Sequence, residues 1–258
     1  DAANYAVNQP SYVTANISRA TLSLSGLTAV DKVYNANTDA VVTGAPVAAA
    51  LGSDNVSFNG SAAGQFSDKN VGVGKTVLLT GLSLDTANGD GANYVMPSDI
   101  GMTASIAQRD LTISGTTVTT KVYDATTTAS VSGGSLVGVQ GADVLTLSQS
   151  GYFADKNVGA GKSVTITDSI TGAAKDNYRL VQPTDVTGTI TPASLAVSGL
   201  WADDKTYDGT TAVHLSGNAT AMPLPGDQLT VSGVPTGVFA SPHAGTAVPV
   251  VIANLSLS

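Results

Sequence analysis

The sequence predicts an all-β chain built from three small tandem domains. Three observations carry this: motifs that recur in a fixed order, short apolar alternations at strand spacing, and a composition that suits turns rather than helices. Lys32-Val33-Tyr34-Asn35, Lys121-Val122-Tyr123-Asp124 and Lys205-Thr206-Tyr207-Asp208 open three copies of one pattern. A second landmark follows each, Phe66-Ser67-Asp68-Lys69-Asn70-Val71-Gly72, Phe153-Ala154-Asp155-Lys156-Asn157-Val158-Gly159 and a degenerate Phe239-Ala240-Ser241-Pro242-His243-Ala244-Gly245. A third is Asn-Tyr, at Asn4-Tyr5, Asn93-Tyr94 and Asn177-Tyr178. Tyr34, Tyr123 and Tyr207 lie 89 and 84 residues apart, and Tyr5, Tyr94 and Tyr178 repeat the same two intervals.

A period of this length is too long for one solenoid turn, so each copy is expected to be a domain with its own modest core. The boundaries read as closing strands of a preceding repeat over 1–19, repeat one over 20–108, repeat two over 109–193, and repeat three over 194–258, which lacks its closing strands. Ser258 runs in phase into Asp1, as a window cut from a longer array would. An edge left open in this way can be completed by strand donation from a neighbouring chain.

The strand signal is clearest after the second landmark. Val77, Leu79, Leu82 and Leu84 form an interrupted alternation, matched by Val164 and Ile166 and by Val248, Val250, Ile252, Leu255 and Leu257. Alternate positions facing a core make half-buried strands of a two-sheet structure. Further strands are expected over Val13 to Leu24, Met102 to Ile113 and Val186 to Val197, each running straight into the next copy. The joins Ile106-Ala107-Gln108-Arg109-Asp110 and Ile190-Thr191-Pro192-Ala193-Ser194 contain no Gly/Ser linker. Neighbouring copies are therefore expected to hold a fairly fixed angle.

All 19 acidic residues are Asp, which favours turns and caps over helix interiors. The net charge of −8 and the 11 scattered basic residues argue against nucleic acid and anionic membranes as partners. The chain has no cysteine, which excludes disulfide staples and suits passage across a membrane unfolded. Its longest apolar runs, such as Ala45 to Leu51, are too short to span a bilayer.

Few residues suggest chemistry. Gly74-Lys75-Thr76 and Gly161-Lys162-Ser163 resemble the end of a phosphate loop, but Lys69 and Lys156 stand where its first glycine belongs, and a strand pattern follows. They read as hairpin turns. The Lys-x-Tyr-Asp/Asn segments read as structural corners, with Tyr on the core and Asp or Asn ordering a turn. Asp85, Asn88 and Asp90 are weak calcium candidates, because their loop gathers hard oxygen ligands, and Asp203-Asp204 is a weaker one. His214 and His243 have no counterparts in other copies, no Gly-x-Ser-x-Gly elbow is present, and an enzyme is not expected. Asn-x-Ser/Thr triplets at Asn16, Asn55, Asn59, Asn218 and Asn254 are glycan acceptors only in a host with that machinery.

Lys205-Thr206-Tyr207-Asp208-Gly209-Thr210-Thr211 resembles the YDG-type repeat of very large bacterial surface exoproteins. So do Lys121-Val122-Tyr123-Asp124-Ala125-Thr126-Thr127, the Asp-Lys-Asn-Val-Gly segments at Asp68 and Asp155, Asn177-Tyr178 with Pro183, and Ile190-Thr191-Pro192. Asn35 replaces Asp in the first copy, and Ser241-Pro242-His243 replaces Asp-Lys-Asn in the third. The resemblance implies filamentous-haemagglutinin-like adhesins exported by two-partner secretion, and it transfers no catalytic residue.

Together these readings give tandem small β-sandwiches, immunoglobulin-like in appearance, arranged end to end. The expected role is a stalk on the bacterial cell surface that projects an adhesive or biofilm-matrix-binding part. Expected partners are neighbouring repeats of the same long chain, with host or matrix glycans reached through other regions. The alternative is that the repeats themselves bind glycan or matrix polymer weakly and multivalently. Trp201, the single tryptophan, is expected to pack in a core or junction, which favours the stalk.

Overall fold

The computed structural model describes residues 1–258. It is all-β, with three single-turn 3-10 segments (Ala2–Asn4, Gly91–Asn93 and Lys175–Asn177) and no α-helix. No helix is long and apolar enough to cross a membrane. The chain forms two compact units, one of residues 1–112, 136–146 and 170–181, the other of 113–135, 147–169 and 182–258. The division passes through the second repeat.

The first unit contains strands β1 (Ala20–Thr21), β2 (Ser23–Ala29), β3 (Lys32–Val33), β4 (Asp39–Ala40), β5 (Val42–Ala49), β6 (Phe58–Phe66), β7 (Gly72–Leu84), β8 (Tyr94–Val95), β9 (Thr103–Ala107) and the start of β10 (Arg109–Ser114). Five of them make a sheet in the order β3-β9-β7-β6-β4. β3 is parallel to β9, and the remaining neighbours are antiparallel.

β7 carries the expected alternation. Val77 is buried and Leu79, Leu82 and Leu84 are half-buried, whereas Leu78, Thr80 and Ser83 are exposed. The phase changes between Leu79 and Leu82, where Gly81 takes a left-handed φ of +75° opposite the β6–β7 register shift between Gly60 and Ala63. Such an irregularity opposite a bulge twists the strand and turns the following side chains to the other face.

Only Gln108 separates β9 from β10. β10 then runs parallel to the strand Tyr178–Leu180, with Arg109 opposite Tyr178. As a result Tyr34, Phe66, Val77, Met102 and Ile106 share one apolar cluster with Leu111 and Tyr178. The core of repeat one continues into the opening of repeat two without a break.

The second unit repeats the sheet order, with Lys121–Val122, Thr187–Thr191, Gly159–Ile166, Gly151–Phe153 and Thr128–Ala129 side by side. Its core is Ala129, Phe153, Val164, Ile166 and Ile190. In the third repeat Thr236–Phe239 pairs with Val250–Ala253, and Val231–Ser232 with Ser256–Leu257. No residue of 191–258 is fully buried, and Ile252 and Leu257, expected to face a core, are exposed.

The strand expected from Val13 begins only at Ala20, and no strand forms over 1–19. Every residue of that stretch is exposed. These residues have no ladder partner within 1–258, and a strand needs one to hold in water.

β2 and β5 pair antiparallel with a register shift between Ser25 and Leu27. Gly26 and Gly44 sit there at φ +79° and +97°, and a Cβ on Gly44 would meet the Gly26 carbonyl oxygen. The same pair recurs as Gly199 and Gly217. Gly44→Ala should cost about 2 kcal/mol or more, from left-handed strain plus the clash. Gly52→Ala, at φ +56° with open space around it, should lose only about 1 kcal/mol. Denaturant titration of the two variants checks this, and equal losses would remove the clash as a cause.

Candidate functional site, a repeated tyrosine–lysine–aspartate clamp

The first landmark is a loop tied by its lysine. Lys121 Nζ donates to Thr126 O, Thr126 Oγ1 and Thr128 O at 2.9, 2.7 and 2.9 Å, and pairs with Asp124 at 2.8 Å. Lys205 makes the matching bonds to Thr210 and Asp208, and Lys32 makes them to Asn37 and Asp39. Asp124 and Asp208 each accept from the N–H and hydroxyl of the threonine two residues on. The lysine hydrogen bond first, then that backbone N–H, hold both carboxyls at about 2. The intervening residue is left-handed in every copy, Ala36, Ala125 and Gly209 at φ 64°, 65° and 76°. The motif is thus one self-tied turn that aims the tyrosine between the lysine and the aspartate.

The second landmark is also a turn. Asp68 Oδ1 accepts from Asn70 N at 2.8 Å and Lys75 Nζ at 2.7 Å, and Asp155 does the same with Asn157 and Lys162. Gly74-Lys75-Thr76 and Gly161-Lys162-Ser163, read as hairpin turns, lie instead inside the strands Gly72–Leu84 and Gly159–Ile166 at register shifts, and Lys75 and Lys162 reach back to close the hairpin. In the third copy Ser241 Oγ keeps the turn by accepting from His243 N at 3.2 Å. Lys69 and Lys156 take no part in these turns and project elsewhere.

They meet an aspartate of the next repeat. Asp143 Oδ2 accepts from Tyr34 Oη at 2.7 Å and Tyr178 Oη at 2.8 Å, and its Oδ1 accepts from Lys69 Nζ at 2.9 Å. The Asp143 side chain is only 5% exposed. The Tyr34 and Tyr178 rings meet edge to face, with centroids 5.3 Å apart, and Lys69 lies over the Tyr34 ring. The second unit repeats the arrangement. Tyr123 Oη and Lys156 Nζ donate to Asp227 Oδ2 and Oδ1, each at 2.6 Å, with Lys156 over the Tyr123 ring.

Each aspartate ends a short turn in which its own N–H donates three residues back, to Leu51, Gln140 or Leu224. The tyrosine of the Asn-Tyr landmark locks that turn. Tyr94 Oη accepts from Leu51 N and donates to Asp54, and Tyr178 Oη accepts from Gln140 N and donates to Asp143. Asn177, also buried, accepts from Val71 N at 2.9 Å and donates to Asn70 Oδ1 at 3.1 Å. The Asn-Tyr pair of repeat two thus holds the Asp-Lys-Asn-Val loop of repeat one.

Electrostatics follow from this geometry. Burial alone would raise the Asp143 carboxyl, but the hydrogen bonds from Lys69, Tyr34 and Tyr178 outweigh it and hold it below the ordinary range. Asp227 is lowered by Lys156 and then Tyr123. Burial, then the bond to Asp143, pushes Tyr178 up to about 12, so it remains a donor.

Of the landmarks, Tyr34, Phe66, Phe153, Tyr94 and Tyr178 are buried, and Tyr123 and Phe239 are half-buried. Tyr207, at 63% exposure, and Tyr5 are exposed. The aspartates Asp54, Asp143 and Asp227 escaped the motif reading although they recur at the same intervals of 89 and 84 residues.

The calcium candidates act as loop caps. Asp85 accepts from Ala87 N, Asn88 N and Asn88 Nδ2, whereas Asp90 accepts from Asn55 N. Asp203 Oδ2 lies 2.6 Å from His214 Nδ1 and accepts from Ser216 Oγ. No three His or Asp side chains converge on a metal-sized site. Serine and histidine here share one carboxylate and do not pair with each other, which is not a nucleophile–base geometry. Trp201 is 59% exposed rather than packed in a core, its ring lying against Gly217 on the neighbouring strand.

Asp143→Asn should cost about 2–3 kcal/mol, because it unbalances three donors around a buried carboxylate. Tyr34→Phe should cost about 1–2 kcal/mol. A double-mutant cycle by urea titration should give a coupling well above zero, and strict additivity would mean that the bond contributes nothing. Ala125→Gly should raise the melting temperature by relieving the left-handed alanine, by up to about 1 kcal/mol after the entropy gained by the unfolded chain.

Aspartates held low lend stability that is complete above the unfolded value of about 3.9 and is lost as pH falls through their folded range. A tyrosine raised to about 12 lends stability that is complete below about 10 and is lost as pH rises toward its folded value. Stability should therefore be flat near neutrality and fall on both sides. Asp143→Asn should blunt the acid limb and Tyr178→Phe the alkaline limb, read as denaturant midpoints across pH.

Neither the curated proteins nor the solved structures yield a match to this chain. The family comparison matches the YDG domain three times, over residues 18–101, 107–186 and 191–258. Both complete clamps join residues of consecutive matches, and the left-handed third position of the motif explains the glycine in its tripeptide. The chain is three tandem repeats of the YDG domain family, to which it belongs.

Proposed function

We propose that these repeats are the structural stalk or spacer of an extracellular bacterial adhesin, which holds an adhesive or matrix-binding region away from the cell surface. The observation that supports this most is the recurrence of the Tyr–Lys–Asp clamp with the same donors on the same atoms, Tyr34 and Lys69 on Asp143, Tyr123 and Lys156 on Asp227. A residue set used to hold one repeat to the next serves orientation and load. The proposal includes small immunoglobulin-like sandwiches set end to end, and export by two-partner secretion, to which the absence of cysteine is suited.

Small-angle X-ray scattering of the chain tests this. A compact particle of this length should have a radius of gyration of roughly 18 Å, whereas three domains in a row should exceed roughly 30 Å. The stalk predicts the larger value, together with its reduction or scatter on Asp143→Asn and Asp227→Asn. A compact particle would overturn it.

A second reading, weak multivalent glycan binding, gains from the exposure of Trp201 and Tyr207. Trp201 has no counterpart in the other two repeats, and multivalency needs the platform in every copy. Titration of Trp201 fluorescence with matrix polysaccharide should show no change if the stalk reading holds.

A further inference from the structure

The clamp at Asp143 brings tyrosines of two repeats onto one oxygen atom. Tyr34 Oη and Tyr178 Oη donate to Asp143 Oδ2 at 2.7 and 2.8 Å. Their rings are in edge-to-face contact, with centroids 5.3 Å apart and planes 78° apart. Tyr34 is fully buried and Tyr178 is 3% exposed.

A phenol that loses an electron becomes a strong acid and must give up its hydroxyl proton. In a buried site this needs a base already within hydrogen-bond reach, because a proton does not cross packed side chains as an electron does. Asp143 is that base for both phenols. Its carboxyl is held below the ordinary range, so it is ionised at neutral pH. The electron has a short way out, since half-buried Lys69 lies over the Tyr34 ring. The product of coupling fits the site as well. Two tyrosyl radicals join at ring carbons next to the oxygen, which gives a biphenol twisted about the new bond, with both hydroxyls able to lie on one side. The Tyr34 and Tyr178 rings are already near perpendicular, and their hydroxyls already converge on Asp143 Oδ2.

We propose that Tyr34 and Tyr178 are a site of oxidative cross-linking, at which a one-electron oxidant joins repeat one to repeat two through a carbon–carbon bond. Each phenol gives one electron to the oxidant, a radical species generated by peroxide or light. Each also gives its hydroxyl proton to Asp143 Oδ2, from which the proton passes to water. The radicals couple, and each ring then moves the hydrogen at its coupled carbon to its own oxygen. The sum is one new C–C bond, two electrons to two equivalents of oxidant and two protons to water, with both hydroxyls restored and Asp143 unchanged. A hydrogen-bonded clamp becomes a covalent one. The inference rests on the clamp and not on the stalk reading.

The test is photo-oxidation of the full chain with tris(bipyridyl)ruthenium and persulfate, followed by gel filtration to set aside coupling between chains. The monomer should emit the blue fluorescence of a biphenol and weigh two hydrogens less. Trypsin should release residues 33–69 joined to 176–179. The oxidised monomer should have a higher urea midpoint, since the link restricts the unfolded chain. Tyr34→Phe and Tyr178→Phe, each verified as folded by circular dichroism, should lose the linked peptide. Asp143→Asn should reduce it by about tenfold or more, as removal of a positioned base does. Unfolding the chain in urea before illumination should do the same. Oxidation that consumes the exposed Tyr152 without yielding the linked peptide overturns the proposal. So does an equal yield from Asp143→Asn or from the unfolded chain.

Discussion

A carboxylate removed from water must be met by donors, and much of this structure follows from meeting that need at Asp143. Three donors reach it, Tyr34 and Lys69 from one repeat and Tyr178 from the next. Removing a charge from solvent costs several kcal/mol unless it is paired and hydrogen-bonded, so the two repeats cannot separate there without exposing or orphaning it. The landmarks are the apparatus for that delivery. The self-tied Lys-x-Tyr-Asp turn aims one tyrosine, the Asp-Lys-Asn turn frees one lysine, and the Asn-Tyr pair fixes the acceptor loop.

Apolar packing points the same way. Leu111 and Tyr178 lie in one cluster with Tyr34, Phe66 and Ile106, so the hydrophobic and polar parts of the join coincide. With only Gln108 between β9 and β10, the backbone adds no slack. The third repeat departs from this in a consistent way. Pro242 stands where Lys69 and Lys156 stand in the other copies, and Tyr207 is exposed. The repeat keeps the tied turn around Lys205.

The sequence made the strands and the landmark turns legible because both are local. Val77, Leu79, Val164 and Ile166 show their faces by alternation, and Asp124 with Thr126 shows a turn by spacing. It hid the clamp because Asp54, Asp143 and Asp227 lie in loops, Leu51-Gly52-Ser53-Asp54, Gln140-Gly141-Ala142-Asp143 and Leu224-Pro225-Gly226-Asp227, that share little besides a glycine and the acid. Their partners lie 35 to 109 residues away, beyond the reach of any local pattern. The segment around Val13 and Ile17 shows the opposite case. Its strand pattern is as clear as that of Ile106, yet a strand exists only where a ladder partner does. The exposure of Trp201 has a related reason, since hydrophobicity alone does not say which face of a two-stranded ribbon is covered.

The central claim is that the clamp makes neighbouring repeats open as one body. Native-state hydrogen exchange measures this most directly. The amides of Phe66 and Val77, bonded to Thr38 and Met102 in repeat one, and of Val181, bonded to Leu111 in repeat two, should share one opening free energy. In Asp143→Asn, Val181 should open ahead of the other two. Unequal opening energies for the two groups in the unaltered chain, with Asp143→Asn moving only one of them, would contradict the account.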